Sequence, residues 1–306
     1  MDSNYTIPDE ECTLQTCTLR QAHFTYVPSL GGNAFFVGWF SLLILLQIML
    51  ALKYRIWGYF VAMQGGIVLE ILGYIGRIQM HFNPFIISPY LLYMICLTTG
   101  PAFLSAAVYL CLSRIVVVYG ENLSRFKPRT YTFAFIACDF ISLGLQGAGG
   151  GIAASANTQS SVDLGKNIML AGLAFQVVAT LLFMMACSDF RVRQSPIEAR
   201  ESSHAVLRNN WKFRAFLWGL AVSIICIFAR SVYRVAELSQ GFHGPQANQQ
   251  VTFMVHEGVM IFIAAGLQTF LHPGFCFQES WETLTLVSRG EVVGSRGEVD
   301  KEGMPV

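Results

Sequence analysis

Charged residues are scarce in this sequence. Only 13% of its 306 residues are Asp, Glu, Lys or Arg, whereas a soluble domain usually contains about 25%. The net charge is +1, and no basic patch with interleaved aromatic residues occurs, so no nucleic-acid partner is expected. Hydrophobic residues make up 54% of the chain and form more long apolar runs than one soluble core would need. The composition predicts an all-α polytopic membrane protein.

Signatures of catalysis and of nucleotide binding are also missing. No G-x-x-x-x-G-K-[ST] loop for ATP is present, and neither a G-x-S-x-G motif nor a His-x-x-x-His pair occurs. A membrane zinc hydrolase needs several His or carboxylate ligands at one depth. Of the six histidines, only His256 lies inside a predicted helix near other ionisable groups. We therefore expect no enzyme activity, no metal and no cofactor.

The first residues are polar and acidic. They contain no basic stretch followed by an apolar one, so no cleavable signal peptide is expected. Cys12 and Cys17 lie close together in this segment and would be able to form a small disulfide loop if the segment is extracytoplasmic. The spacing alone does not establish that bond. The remaining cysteines fall within or next to apolar runs, as small packing residues do.

Seven apolar runs are long enough to span a bilayer. They cover roughly residues 33–53, 56–78, 87–113, 131–153, 166–187, 211–238 and 253–272. The sequence thus predicts an extracytoplasmic segment at 1–32, a seven-helix membrane domain at 33–275 and a disordered tail at 276–306.

The distribution of Lys and Arg predicts the orientation. Most of them fall in the segments 53–55, 114–129 and 191–214, which therefore face the cytoplasm. The protein is then N-out and C-in, and of its two sequons only the one at Asn4 would meet the glycosylation machinery. We expect an integral, multi-pass membrane protein of the plasma membrane rather than of internal membranes.

The sixth run carries ionisable residues on one helical face. Arg230, Tyr233, Arg234 and Glu237 are spaced at i, i+3, i+4 and i+7. Arginines near a helix end often reach the lipid headgroups. Here, however, other helices also carry buried charges, and charged groups in a membrane must face protein or a water-filled cavity.

The second and seventh runs supply the matching residues. Glu70, Tyr74 and Arg77 share a face of the second helix, with Glu70 about 10 Å from its outer end. A lone carboxylate at that depth must be paired or protonated. The seventh run opens with His256 and Glu257. Acidic and basic residues roughly balance, so a structural ion-pair network is one interpretation; our hypothesis is a polar, outward-facing cavity that binds substrate.

The third, fourth and fifth runs add further polar or small residues. Asp139 and Gln146 lie one heptad apart in the fourth run, and Gln176 lies near the middle of the fifth; we include them among the substrate-binding candidates. Gly147 and Gly151 predict a face for close helix packing. Pro101 follows Gly100 in the middle of the third run and predicts a bend, which serves packing, a cavity or a hinge.

At these residues the chain resembles the fungal lipid-translocating exporters, named for resistance to 7-aminocholesterol and to sphingoid long-chain bases. The matching stretches, in order, are EILGYIGR at 70–77, GPAFLSAAVYLCLSRI at 100–115, DFISLGLQGAGGG at 139–151, AGLAFQ at 171–176, RSVYRVAELSQG at 230–241, His256-Glu257 and HPG at 272–274. Together they cover nearly all of the membrane domain.

The resemblance implies a seven-helix, N-out bundle that translocates amphipathic lipids or lipid-like toxic compounds, or confers resistance to them. Its partners would be membrane lipids and an amphipathic small molecule. The chain departs from the family at two positions. Ile261 and Ala264 stand where the family often has Tyr and Asp, one and two turns after Glu257, which suggests altered specificity or a lost step.

Two alternatives belong to other functional classes. A seven-helix lipid sensor or regulator without transport activity would use the same buried charges to recognise a lipid. A G-protein-coupled receptor would share the topology, but the third helix ends in Ser113-Arg114-Ile115 instead of Asp-Arg-Tyr, and the seventh lacks Asn-Pro-x-x-Tyr. The leading prediction is therefore a translocator in which Glu70, Glu237 or Glu257 receives a cationic amine.

Overall fold

The computed structural model describes residues 17, 26–119, 128–156, 158–192, 210–240 and 249–277. All elements in these ranges are helical. The first six helices are α1 (Leu30–Tyr54), α2 (Trp57–Phe82), α3 (Ile87–Tyr119), α4 (Pro128–Ala154), α5 (Gln159–Val192) and α6 (Trp211–Ser239). The seventh span, α7, consists of an α-helical turn at Gln250–Phe253, a π-helix at Met254–Val259 and an α-helix at Met260–Phe270. A short helix, α8 (Pro273–Phe277), follows it.

The structure confirms the seven predicted spans. Seven described helices are long and apolar enough to cross a membrane. Their bounds agree with the prediction to within about four residues, except at three ends. α3 continues to Tyr119 and α5 to Val192, and α5 begins at Gln159, about two turns before position 166. Asp163 and Lys166 interrupt the apolar pattern there, although both fit into the first turns of the helix, where they form an ion pair at 3.5 Å.

Local sequence signals set several helix ends. Ser29 caps α1, because its hydroxyl oxygen accepts a hydrogen bond from the Gly32 N–H at 3.4 Å. Asn210 caps α6 in the same way through the Lys212 N–H. Arg55 ends α1 in the left-handed conformation, with φ of 54°. We call the end of the bundle where α1 begins its N-terminal end, and the end where α7 finishes its C-terminal end.

The C-terminal end extends two residues beyond the predicted membrane domain. Cys276 and Phe277 belong to α8 and are buried. The Phe277 ring packs edge-to-face on Phe213 and Phe216 of α6. These aromatic contacts hold the end of the seventh span against the start of the sixth. The rest of the predicted tail lies outside the described residues.

Glycine residues bring α2 and α3 close together. A Cβ atom on Gly76 would lie 2.8 Å from the Pro89 carbonyl oxygen, and one on Gly73 would overlap the Leu97 side chain. No larger residue fits at either position without moving α3. This close approach places the polar face of α2 directly against the middle of α3.

The predicted packing face of α4 is wrong. A Cβ atom on Gly147 or Gly151 would contact no other group within 4 Å. The closest approach instead involves Gly149, whose Cβ position lies 2.6 Å from the Gly165 carbonyl oxygen of α5. Gly149 is on the same side of α4 as Ser142 and Gln146, which also contact α5. In a run of glycines the small residues permit several faces, and the polar residues select the one that packs.

Candidate functional site

A group of buried polar residues lies between α2, α3, α6 and α7, in the half of the bundle near its N-terminal end. We call this group the charged cluster. Its members are Glu70, Tyr74, Arg77, Thr98, Arg230, Arg234, Glu237 and Glu257. None of its charged residues has more than 7% of its surface exposed. Charges at this depth must be satisfied by protein groups or by a ligand.

Arg230 of α6 connects two other helices. Its Nη2 atom donates a hydrogen bond to the Glu257 carboxylate of α7 and another to the Leu97 carbonyl oxygen of α3. Glu257 belongs to the π-helical segment of α7, a local distortion that is frequent at functional sites. Arg230 and Glu257 therefore form a buried ion pair at the centre of the cluster.

Arg234, one turn further along α6, makes a second set of contacts. Its Nη1 atom lies 2.6 Å from a carboxylate oxygen of Glu237, and its Nη2 atom donates to the Thr98 hydroxyl at 3.2 Å. Its Nε atom is 4.0 Å from the second carboxylate oxygen of Glu257. The two arginines thus share Glu257, and Glu237 neutralises the remaining positive charge.

Arg77 lies on the side of the cluster that faces the N-terminal end. Its Nη2 atom donates to the Tyr26 hydroxyl at 2.9 Å. Its guanidinium carbon is 3.8 Å from the centre of the Phe253 ring and 5.0 Å from that of Tyr93. Aromatic faces attract a cation electrostatically, so these rings hold Arg77 and cover it.

Glu70 has a different environment. It is fully buried, and neither of its carboxylate oxygens has a hydrogen-bond partner among the described residues. Arg230 and Glu257 both interact with it electrostatically. A Cβ atom on Gly100 would lie only 2.9 Å from its Oε1 atom, so this glycine leaves room for the carboxylate.

Tyr74 lies one turn after Glu70 and has the same lack of partners at its polar end. Its ring stacks on Phe36 of α1, with ring centres 4.9 Å apart. Its hydroxyl, which interacts electrostatically with Glu70, has no hydrogen-bond partner in the described part of the chain. Glu70 and Tyr74 therefore offer an acceptor and a hydroxyl that no described residue satisfies.

Tyr233 and His256 lie at the edge of the cluster. Their rings stack at 4.7 Å with an interplanar angle of 14°. The His256 Nδ1 atom is 3.0 Å from the Thr252 carbonyl oxygen of its own helix, and the Tyr233 hydroxyl has no described partner. This pair links α6 to the π-helical segment of α7.

The other three candidates are not part of this cluster. The Gln146 Nε2 atom donates to the Gln176 Oε1 atom at 3.1 Å and to the Ser142 hydroxyl at 2.6 Å. Asp139 interacts electrostatically with the Tyr109 hydroxyl of α3, although neither of its carboxylate oxygens forms a hydrogen bond of regular geometry with a described residue. These contacts join α3, α4 and α5, and none of the described ones reaches the charged cluster.

The predicted outward-facing cavity is not open in this structure. The members of the cluster are buried, both of its arginines on α6 are paired with its carboxylates, and Tyr26 and Phe253 cover Arg77 on the N-terminal side. The close packing of α2 on α3 leaves little space between them. The structure therefore shows a closed cluster, in which an ion-pair network coexists with the unsatisfied Glu70 carboxylate.

Two groups that bind the arginines of the cluster, the Leu97 carbonyl and the Thr98 hydroxyl, were not predicted from the sequence. Proline has no N–H, so Pro101 leaves the carbonyl of Leu97, four residues earlier, without its helical partner. That carbonyl accepts the hydrogen bond from Arg230, and the next residue, Thr98, binds Arg234. The proline itself could have indicated this contact, because a proline within a helix leaves an unpaired carbonyl one turn earlier, and that carbonyl accepts a hydrogen bond from a nearby donor.

The two positions that depart from the family pattern are fully buried. Ile261 and Ala264 lie on the face of α7 that also carries Glu257, and neither has any exposed surface. The Ala264 carbonyl oxygen accepts a hydrogen bond from the Ser223 hydroxyl of α6 at 3.2 Å. In this chain, therefore, the α7 surface one and two turns after Glu257 is apolar.

Several predictions concern residues outside the described ranges. Asn4, the predicted glycosylation site, is one of them, and Cys12 is another. Cys17 is disulfide-bonded, whereas the six described cysteines in or next to the helices are free. The pairing of Cys17 with Cys12 stays a prediction. Among the described residues, no group of three or more His, Cys, Asp or Glu side chains is arranged to hold a metal ion.

The chain is similar to several known proteins of Saccharomyces cerevisiae. It is 30% identical to the sphingoid long-chain base transporter RSB1, over 91% of this chain and 78% of the relative. It is 29% identical to protein RTM1, over 67% of this chain and 64% of the relative. It is 28% identical to protoporphyrin uptake protein 1, over 72% of this chain and 71% of the relative.

No solved structure matches the chain. The family model described as RTA1 like protein matches residues 63–280, which include most of α2, all of α3 to α8 and every member of the charged cluster. The predicted resemblance to the lipid-translocating exporters is confirmed. The chain is an integral multi-pass membrane protein, and it belongs to the RTA1-like protein family.

Proposed function

We propose that this protein translocates amphipathic lipids across a membrane, and that the charged cluster receives a cationic head group of the sphingoid-base type. The observation that carries the proposal is the unsatisfied Glu70 carboxylate. A carboxylate held away from water needs a cationic partner or a proton. Glu257 pairs with Arg230 and Glu237 with Arg234, so the carboxylate of Glu70 is the one left for a ligand.

The surroundings of Glu70 suit a head group that carries an amine and hydroxyl groups. The Tyr74 hydroxyl, on the same face of α2, is also without a described partner. The nearby rings of Phe36 and Phe40 stack on Tyr74 and provide apolar surface for the first carbon atoms of a tail. An amphiphile with this head group would satisfy both polar groups at once.

The relatives support the same class of substrate. One is named as a sphingoid long-chain base transporter and another as a protoporphyrin uptake protein; both names refer to amphipathic compounds. No ATP-binding loop occurs in this sequence, and movement would then be gradient-driven, facilitated or indirect. The N-out, C-in orientation, which rests on the Lys and Arg distribution, stays part of the proposal, as does the plasma-membrane location.

Because the cluster is closed in this structure, translocation requires a second conformation. Small buried residues between packed helices permit such rearrangements at low steric cost. The interaction that must weaken is the one among Arg230, Glu257 and the Leu97 carbonyl, since it ties α6 and α7 to α3. A cationic ligand that competes with Arg230 for carboxylates would loosen this connection.

The test uses purified full-length protein reconstituted in phosphatidylcholine liposomes. The movement of a labelled sphingoid base is compared with that of its N-acylated derivative, which has the same tail and no amine. We expect the wild type to move the base faster than the N-acylated compound. Glu70→Gln keeps the size of the side chain and removes the charge, so it should abolish this difference.

Asp139→Asn is the matched control. It also neutralises a buried carboxylate without ion-pair partners, but one that contacts α3 outside the charged cluster. It should leave the preference for the base unchanged. Equal loss in both variants would contradict the assignment of Glu70. Movement of neither compound by folded wild-type protein would contradict transport and favour the alternative of a lipid sensor or regulator.

A further inference from the structure

A second feature of the bundle is an apolar cavity near its C-terminal end. It has a volume of about 260 Å³ and lies between α3, α5 and α6. This approaches the lower limit of typical small-molecule sites, about 300 Å³. None of its lining residues belongs to the charged cluster.

The cavity is polar at one end and apolar at the other. The helices α3 and α5 end, and α6 begins, at the C-terminal end of the bundle. The polar lining residues are all near that end: Tyr119, Cys187, Ser188 and Arg191. The deepest lining residues are apolar and include Val108, Phe183, Ile224 and Ile225. This gradient matches an amphiphile whose tail points towards the middle of the bilayer.

The length of the cavity matches one leaflet. From Phe183 to Arg191, α5 advances about 12 Å at 1.5 Å per residue. Half of the hydrocarbon core of a bilayer is about 15 Å thick. The cavity therefore extends from the membrane interface almost to the midplane. Its side is accessible to lipid, because Ile225 of the lining has 52% of its surface exposed.

The charge at the polar end of the cavity, which we call its mouth, selects the head group. Arg191 is the charged one among the described lining residues, none of which is acidic. Its guanidinium carbon lies 5.6 Å from the centre of the Trp218 ring of α6, which holds the side chain at the mouth. A guanidinium binds the phosphate of a lipid through paired hydrogen bonds and favours a head group of net negative charge over a neutral or cationic one, so the cationic substrate proposed for the charged cluster does not suit this position.

We propose that this cavity binds one acyl chain of an anionic glycerophospholipid from the surrounding leaflet, with the phosphate of the lipid on Arg191. A bound chain would fill the space that separates α3, α5 and α6 and would stabilise their packing. The site is separate from the one proposed for transport, and neither proposal depends on the other.

The experiment places full-length protein in phosphatidylcholine nanodiscs. These contain a small fraction of either phosphatidylserine or phosphatidylcholine with the same photoactivatable acyl chain. After irradiation, labelled peptides are identified by mass spectrometry. We expect phosphatidylserine to label residues 183–191 and 217–225 about fivefold more than phosphatidylcholine, the ratio for one arginine near an anionic head group.

Two variants and one control make the result specific. Arg191→Gln should reduce labelling by phosphatidylserine to the level of phosphatidylcholine. Ala221→Phe, which adds a ring to the lining, should remove labelling of these residues by both lipids. Lys166→Gln also removes a positive charge from α5, but near its first turns, and should change nothing. Equal labelling of the wild type by the two lipids, or an unchanged preference in Arg191→Gln, would overturn the proposal.

Discussion

Arg230 donates a hydrogen bond to the main-chain carbonyl of Leu97, the carbonyl that Pro101 leaves without a helical partner. The proline in α3 and the arginine in α6 are therefore parts of one structure. The proline leaves an acceptor inside the bundle, and Arg230 occupies it while it also binds Glu257. Without the proline, Arg230 would have one fewer acceptor at this depth.

Replacing Pro101 with alanine tests this relationship. Pro101→Ala restores an N–H group that competes with Arg230 for the Leu97 carbonyl. The helix itself should become more regular, so we expect folded protein with unchanged or higher thermal stability. Movement of the sphingoid base in liposomes should rise by up to roughly tenfold, because the connection between α6 and α3 that must weaken for translocation loses a hydrogen bond to a charged group, which contributes about 1.5–3 kcal/mol.

Pro128→Ala is a suitable control for that variant. Pro128 is the first residue of α4, a position where the helix has no use for an N–H group. It should leave both stability and transport unchanged. If Pro101→Ala transports at the wild-type rate, the unpaired Leu97 carbonyl is not needed for the function, and Pro101 serves helix packing alone.

The buried pair of Arg230 and Glu257 should behave as a unit. Removing one partner leaves the other charge buried and uncompensated, which costs about 3–5 kcal/mol. Arg230→Gln and Glu257→Gln should therefore each lower the thermal stability of the detergent-purified protein strongly. The double variant should be more stable than the sum of the single effects implies, and a double-mutant cycle measures this difference. Additive effects would show that the two side chains act separately.

The sequence predicted the spans and the polar faces well, because both depend on local patterns. A long apolar run needs no partner to identify it as a membrane helix. The spacing of Arg230, Arg234 and Glu237 correctly placed them on one buried face of α6. The family was predicted as well, from short motifs taken in order.

Which helices contact one another could not be predicted from such local patterns. Asp139 and Gln146 are buried polar residues within membrane helices, like the members of the charged cluster, yet they contact α3 and α5 instead. Which helices are neighbours depends on tertiary packing, and the glycine run of α4 permitted more than one face. The closure of the cluster was missed for a related reason: it depends on Phe253 and other rings that carry no charge pattern.

Gly100 is expected to be essential for the position of Glu70. A Cβ atom at residue 100 would lie 2.9 Å from the Glu70 Oε1 atom and 3.3 Å from the Gly66 carbonyl oxygen. Gly100→Ala should therefore displace the carboxylate and remove the preference for the sphingoid base over its N-acylated derivative. Elsewhere in a helix, Gly→Ala is favourable by about 1 kcal/mol.

Gly147→Ala provides the comparison, because a Cβ atom there meets nothing within 4 Å. This variant should be as stable as the wild type or more so, and its transport should be normal. Normal substrate preference in Gly100→Ala would mean that Glu70 can move without consequence, and would contradict its assignment as the head-group site.

The amides of Gln146 and Gln176 are expected to be structural. They join α4 to α5 through a hydrogen bond of 3.1 Å, and interhelical bonds of this kind contribute about 0.6–2 kcal/mol in membranes. Gln176→Leu should lower the free energy of unfolding by that amount. The double variant with Gln146→Leu should lose less than the sum of the two single losses. The transport rate of the remaining folded protein should equal that of the wild type. Loss of transport at unchanged stability would instead place these amides in the substrate path, as their sequence positions first suggested.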